Sequence, residues 1–221
     1  MKIYTKTDLE KYLKDDVILK KLQEYPYDSE FPSHQWLLDM QAKRLIYHDI
    51  YGELLNSKGK KILDVGGGFC GLSRELIKRH EYKLLDIMAH GDHNKMRKIS
   101  LENSNFWINS DWNTFQGLGQ YDYVIANDIF PNVDQRLKAF ISKFKSHTNK
   151  IIMTLTCYDE DRYYTVKRLD ADEIFTIVPW NSAITEMILR QSIINKNIKL
   201  PPLSDRESIF KNGRILYRVD I

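Results

Sequence analysis

The stretch Lys61-Ile62-Leu63-Asp64-Val65-Gly66-Gly67-Gly68-Phe69-Cys70-Gly71-Leu72-Ser73 decides the fold. A short apolar run carrying an acid near its end leads directly into glycines, and an amphipathic stretch over 72–79 follows. Strand, tight turn and helix in that order are the context a nucleotide-binding glycine loop requires. Glycines let the backbone turn sharply and let a ligand approach to contact distance. The helix start offers unpaired amides and the positive end of a dipole to an anionic group. The same pattern also suits an ordinary strand-to-helix turn, so the neighbouring segments must decide.

Downstream, short apolar runs at 82–87, 105–109, 122–126 and 150–155 predict further strands. Helical stretches at 72–79, 96–101 and 134–145 lie between them, which implies βαβ units and a buried parallel sheet. Residues 181–195 read as a helix with Ile184, Met187, Ile188 and Ile194 on one side. Asn212-Gly213, between 208–210 and 214–219, is a hairpin signal. The expected fold is therefore α/β: a doubly wound, mostly parallel seven-stranded sheet with an antiparallel last strand.

Upstream, residues 1–58 read as an N-terminal helical extension on the lid or acceptor side, joined without a linker to an α/β domain over 59–221 in a single compact unit. Thr7-Asp8-Leu9-Glu10 has the form of a capping box, with Leu9, Leu13 and Leu22 following at helical spacing. Pro26 and Pro32 break that run. Ser33 can cap a second helix with the stripe Leu38, Leu45, Ile46 and Ile50, which Gly59 ends.

Acids recur where such sheets bind ligands, at the carboxyl ends of successive strands. Asp64 precedes the glycines. Asp86 ends the next strand, 22 positions later (86 − 64), where a carboxylate can accept from both ribose hydroxyls. Asp111 follows the third strand in Asn109-Ser110-Asp111-Trp112, placed to accept from an adenine amino group with Trp112 available to stack.

With these residues the chain resembles the class I S-adenosylmethionine-dependent methyltransferases, over roughly residues 60–155. The resemblance rests on Ile62-Leu63-Asp64-Val65-Gly66-Gly67-Gly68, Leu84-Leu85-Asp86-Ile87, Asn109-Ser110-Asp111 and Tyr121-Asp122-Tyr123-Val124-Ile125-Ala126-Asn127-Asp128. It implies S-adenosyl-L-methionine as cofactor and S-adenosyl-L-homocysteine as product. It places Gly66, Gly67 and Gly68 against the methionine and ribose portion and gives Asp64 the ordering of that loop or the amino group through water. Asp86 with Ile87 takes the ribose, Asp111 and Trp112 the adenine, and Asn127 the methionine moiety. One departure stands out: Cys70 occupies the family's third glycine position and the glycine follows at Gly71. That spacing also matches the dinucleotide fingerprint, so an NAD-dependent oxidoreductase is the rival reading. The sixty residues before the motif and the acid at 111 favour the methyltransferase.

Composition narrows the acceptor. Of 221 residues, 43% are hydrophobic and 29% charged, a globular balance without an apolar run long enough for a membrane helix. Charge breaks up the first residues, which predicts no signal peptide, and two cysteines make neither a disulfide framework nor a four-ligand zinc site. A cytoplasmic protein follows. Lys, Asn and Ile richness suggests an AT-rich, bacterial source. The 33 basic and 30 acidic residues leave a net charge of only +3, too little for a protein that grips phosphate backbones. Asp128-Ile129-Phe130-Pro131-Asn132 replaces the nucleobase-amino methylase motif. The expected acceptor is a small molecule or a sugar or glycan precursor, with bacterial surface-polysaccharide modification as one setting. Methylation of protein or RNA and a catalytically inactive scaffold are the alternatives. Oligomeric state is unread.

Asp128 and His34 are the candidate general bases, needed only when the acceptor holds its proton. Each has a plainer reading, as a loop carboxylate and a surface histidine. The acidic, aromatic stretch over 156–164 suits either an acceptor wall or a solvated helix start. His90, Asp92 and His93 have metal-like spacing but read as polar turn residues, so no metal is expected. Cys70 and Cys157 read as small buried residues. Trp36, Trp107 and Trp180 read as core.

Overall fold

The computed structural model describes residues 1–88, 92–158, 163–167, 174–192 and 208–221. In chain order these form β1 (Lys2–Ile3), α1 (Lys6–Leu13), α2 (Val17–Gln23), a 3₁₀ turn (Pro26–Glu30), α3 (Pro32–Asp39), α4 (Gln41–Asn56), β2 (Lys61–Val65), α5 (Gly71–Arg79) and β3 (Glu81–Leu85). There follow α6 (His93–Glu102), β4 (Trp107–Ile108), β5 (Tyr121–Phe130), α7 (Leu137–Phe144), β6 (Thr148–Cys157), β7 (Tyr164–Lys167), β8 (Ile174–Ile177), α8 (Ser182–Ser192) and β9 (Ile215–Asp220).

Seven strands make one sheet in the order β1-β9-β6-β5-β2-β3-β4. The pairs β2–β3, β2–β5, β3–β4 and β5–β6 are parallel, and β9 runs antiparallel to both β6 and β1. The expected α/β sheet with a reversed last strand is the fold observed. Its strands are apolar on both faces because each face is covered. Ile62 and Leu84 join the cluster under α1–α6, with Leu22, Leu37, Leu72 and Met96. Leu63, Val65, Leu85 and Val124 join Phe140, Phe144 and Leu189 under α7 and α8. Full burial of one such side chain stabilises by roughly 1.5–3 kcal/mol.

Several local expectations are corrected. The capping box sits two residues earlier: the Thr5 hydroxyl accepts from the Asp8 amide at 3.2 Å and the Asp8 carboxylate from the Thr5 amide at 2.9 Å. β1 explains the shift, since it engages Lys2 and Ile3 at the sheet edge and the helix starts as soon as it ends. That edge strand lies inside the segment read as wholly helical. Ser33 is not a cap; Phe31 holds that position with Pro32 in the first turn. The second helix is two, broken at Met40, and the Arg44 guanidinium donates to the Leu37 and Leu38 carbonyls at 2.7 Å where α3 ends. Residues 208–210 form a bend and not a strand, so the hairpin is absent and β9 pairs with β6 and β1. α8 buries Thr185 and Leu189 and packs Ile188 of the predicted face against the core, but leaves Ile184 and Met187 exposed; residues 193–195 lie outside the described residues. The sequence does not indicate the pair β7–β8, and residues 159–162 of the acidic, aromatic stretch over 156–164 lie outside the described residues. Trp36 is 39% exposed, whereas Trp107 and Trp180 are core.

Candidate functional site

β2 ends at Val65, and the chain turns through Gly66 and Gly68 at φ +63° and +66°, a region glycine enters without steric cost. The Gly66 amide donates to the Leu85 carbonyl at 2.9 Å, which ties the turn to the end of β3. There the Asp86 carboxylate accepts from the Gly68 amide at 2.9 Å and the Met88 amide at 2.7 Å. One carboxylate thus clamps the loops after β2 and β3 together, and Ile87 beside it is 41% exposed.

Asp64 lies beneath the glycines, 3% exposed. One of its oxygens accepts from Tyr51 at 3.0 Å and Tyr82 at 2.9 Å; the other has no partner. Burial pushes its carboxyl up to about 7, against the two tyrosine hydrogen bonds that favour the charged form. Asp64, Tyr47, Tyr51, Gly67, Gly68 and Cys70 line a small cleft. Cys70 caps α5, its amide donating to Ser73 Oγ at 3.2 Å, and burial pushes its thiol up to about 11. It is inert packing, as is Cys157 at the far end of β6.

β5 carries a register irregularity between Ala126 and Phe130, which takes Asn127 and Asp128 out of the ladder. Asp128 has φ +60°. Its amide donates to Thr154 Oγ1 at 2.8 Å, so the hydroxyl proton goes to Asn127 Oδ1 at 2.7 Å. Asn127 Nδ2 is left buried without a partner. The Asp128 carboxylate accepts from Thr156 at 3.0 Å and from Arg214 Nη1 at 3.1 and 3.0 Å, with Lys43 Nζ at 3.8 Å.

The N-terminal helices cover this edge of the sheet. Along α4, Lys43, Tyr47 and Tyr51 recur every four residues on one face. They reach Asp128, the Gly67 carbonyl (3.4 Å) and Asp64. On α3, Ser33 lies against Gly68, where an added Cβ would fall 1.9 Å from its hydroxyl. His34 is not a surface residue; it is 1% exposed, and its Nδ1 accepts from the Gly71 amide at 3.1 Å. That fixes Nε2 as the protonated nitrogen, buried and unpartnered, and burial lowers the imidazole pKa. The imidazole therefore caps α5, with its lone pair already committed.

The adenine side differs from the expectation. Trp112 is 5% exposed, packed edge-on against Phe130 and Phe140, with its indole N–H donating to Asp134 at 2.7 Å. A buried indole needs a partner for its N–H, and Asp134 supplies it at the margin of the core. Stacking on a ligand is not open to Trp112 in this arrangement. Asp111 stays at the surface, accepting from the Asn113 amide at 2.7 Å and from Arg136 at 3.1 Å. Asp92 caps α6, accepting from the Asn94 and Lys95 amides, and His93 packs edge-on against Trp107; His90 lies outside the described residues.

Lys43, Tyr47, Tyr51, Tyr82 and Arg214 were not singled out from the sequence. Three of them had a signal: polar-tipped residues four apart on a helix that is otherwise apolar toward the core.

The structure resembles solved proteins along nearly their whole length. An S-adenosylmethionine-dependent methyltransferase from Clostridium acetobutylicum ATCC 824 aligns over 95% of this chain and 94% of its own, with a TM-score of 0.51 at 15% identity. The PH0226 protein of Pyrococcus horikoshii OT3 aligns over 90% and 97%, with a TM-score of 0.52 at 16% identity. No protein-family model matches the chain, and no curated protein matches it. The likeness establishes the fold, an α/β sheet architecture shared with a solved S-adenosylmethionine-dependent methyltransferase. Among the described residues, no helix is long and apolar enough to cross a membrane.

Proposed function

We propose that the chain is a methyltransferase that uses S-adenosyl-L-methionine to methylate a small molecule or a sugar or glycan precursor. The observation that carries this reading is the Asp86 clamp, a carboxylate joining the glycine turn to the end of β3. Two further features fit the cofactor. The unpartnered Asp64 oxygen is a buried acceptor suited to an ammonium, and Asn127 Nδ2 is a buried donor suited to a carboxylate. Both groups belong to an amino-acid tail, and the ribose hydroxyls suit Asp86.

When bound, S-adenosyl-L-methionine supplies a methyl group on a sulfonium sulfur, with a neutral thioether as leaving group. The protein's work is then positioning and exclusion of water. Asp86 and the exposed face of Ile87 hold the nucleoside, with Asp111 at its adenine edge. Asp64, Asn127 and the three glycines take the methionine end. Residues 1–58, and α3 and α4 in particular, act as the lid and the acceptor wall over the glycine turn. The small net charge and the missing nucleobase motif favour a small acceptor over RNA or DNA. Surface-polysaccharide modification in a bacterium is one setting such an acceptor suits.

The test is a thermal shift with S-adenosylhomocysteine, S-adenosylmethionine and NAD in parallel. Stabilisation by the two sulfur nucleosides, lost in Asp86→Ala with the unliganded melt intact, is the expected result. Stabilisation by NAD alone overturns the reading in favour of a dinucleotide enzyme.

A further inference from the structure

Beside Asn127, the described residues at this end of the sheet gather two cations around one carboxylate. Asp128 there faces two cations, Lys43 from α4 and Arg214 from the residue before β9. All three are largely withdrawn from water, with side-chain exposures of 16%, 19% and 10%. Their sum is one net positive charge in a poorly solvated position, which is costly without a counter-ion.

Among the described residues, each cation keeps N–H donors that no hydrogen bond takes up. Arg214 is 8% exposed, and among the described residues its guanidinium hydrogen-bonds through Nη1, to Asp128. Its Nε is buried with no partner, and its Cζ lies over the Phe210 ring, 4.0 Å from the ring centre. Lys43 Nζ lies 3.8 Å from Asp128, long for a hydrogen bond, and 4.9 Å from the centre of the Trp36 ring. Burial lowers the Lys43 pKa, which Asp128 only partly offsets. An aromatic ring over each cation holds it in place without consuming its N–H donors. What remains is a planar fork edge on Arg214 and an ammonium beside it, donors that match an oxyanion. The cluster adjoins the cofactor cleft: Tyr47, one turn beyond Lys43 on α4, reaches the Gly67 carbonyl.

We propose that Lys43 and Arg214 form an anion-recognition subsite beside the methyl-transfer centre, so that the acceptor carries a carboxylate or phosphate. The subsite rests on the methyltransferase reading for its place in catalysis, but its binding chemistry is independent of it. Asp128 is then a positioning residue that holds the two cations side by side while leaving one charge for the ligand.

The experiment measures melting temperature at constant ionic strength with benzoate, phenyl phosphate or benzyl alcohol, with and without S-adenosylhomocysteine. Benzoate and phenyl phosphate separate the carboxylate and phosphate cases, and benzyl alcohol is the neutral control. The expected result is an added shift from at least one of the two anions and none from benzyl alcohol. Arg214→Gln and Lys43→Met should each weaken the apparent anion affinity at least tenfold while keeping the S-adenosylhomocysteine shift. Lys43→Met keeps the test decisive should loss of Arg214 disturb the fold, since Arg214 still pairs with Asp128 in it. An equal shift from benzyl alcohol, no shift from either anion, or undiminished anion affinity in Lys43→Met overturns the proposal. An anion shift without any S-adenosylhomocysteine shift would leave the subsite standing and sink the methyltransferase reading instead.

Discussion

Asp64→Asn removes a charge from beneath the glycine turn while keeping the shape of the side chain. In the wild type the carboxyl is pushed up to about 7 from a reference of 3.8, chiefly because burial strips its hydration. A folded-state pKa above the unfolded one means that the folded protein binds the proton more tightly. The stability linked to Asp64 is therefore complete below the unfolded pKa and is lost as pH rises toward 7. Roughly 3 pKa units at 1.36 kcal/mol each give a full penalty of roughly 4 kcal/mol, reached near pH 8. Most of it, roughly 2–3 kcal/mol, develops between pH 5 and pH 8, with a slope that cannot exceed about 1.4 kcal/mol per pH unit. Asparagine resembles the protonated acid: its carbonyl can accept from Tyr51 and Tyr82 as the carboxyl does now. Asp64→Asn should thus gain on the wild type as pH rises, widening the gap in melting temperature by roughly 5–10 °C between pH 5 and 8 for a chain of this size. Melts of both proteins without ligand across that range provide the measurement. A gap that stays constant with pH would refute the reasoning, because it would show that Asp64 is already ionised in the folded protein at pH 5.

Two further pairs of substitutions test how the N-terminal helices are held on the sheet. Gly68→Ala places an L-residue at φ +66° with its Cβ 1.9 Å from Ser33 Oγ. Backbone strain of roughly 1–2 kcal/mol and overpacking of roughly 1–3 kcal/mol should add, and Ser33→Gly in the same protein should recover only the second part. Equal stability of the single and double variants in a urea titration would show that α3 does not press on the turn. Arg74 donates to both oxygens of Asp28, a buried acid in the 3₁₀ turn before α3, at 2.7 Å each. Arg74→Met leaves that acid buried and unpaired and should cost roughly 3–5 kcal/mol. Asp28→Asn should cost less because Arg74 keeps 28% of its side-chain surface in water; the reverse order would contradict the assignment.

The parallel core of the sheet is legible because its signal is local. β2 is found at its predicted bounds, and β3, β4, β5 and β6 within a few residues, since buried strands are short apolar runs between turns. The loop acids are legible for the same reason: Asp64 and Asp86 are fixed by their places at strand ends. Tyr82 and Arg214 are not, because nothing near them in sequence indicates Asp64 or Asp128 as a partner. Trp112 shows the limit from the other side. Its position after a strand suggested a ligand platform, but its N–H could be satisfied by Asp134, 22 residues on, and the ring went into the core. His34 met the same fate at the start of α5. Edge elements fail differently. β1 has two residues, and its pairing with β9 depends on a strand more than two hundred residues away.

Alone, the amino-acid sequence determined the glycine turn, the acids around it and the alternation that makes a doubly wound sheet, all of which follow from spacing along one segment. The tertiary structure decided which side chains share a dielectric. Burial makes Asp64 a weak acid, commits the His34 lone pair to a backbone amide and leaves Lys43 and Arg214 with one carboxylate between them. Hydration and pairing depend on neighbours from distant segments, which only the folded chain brings together.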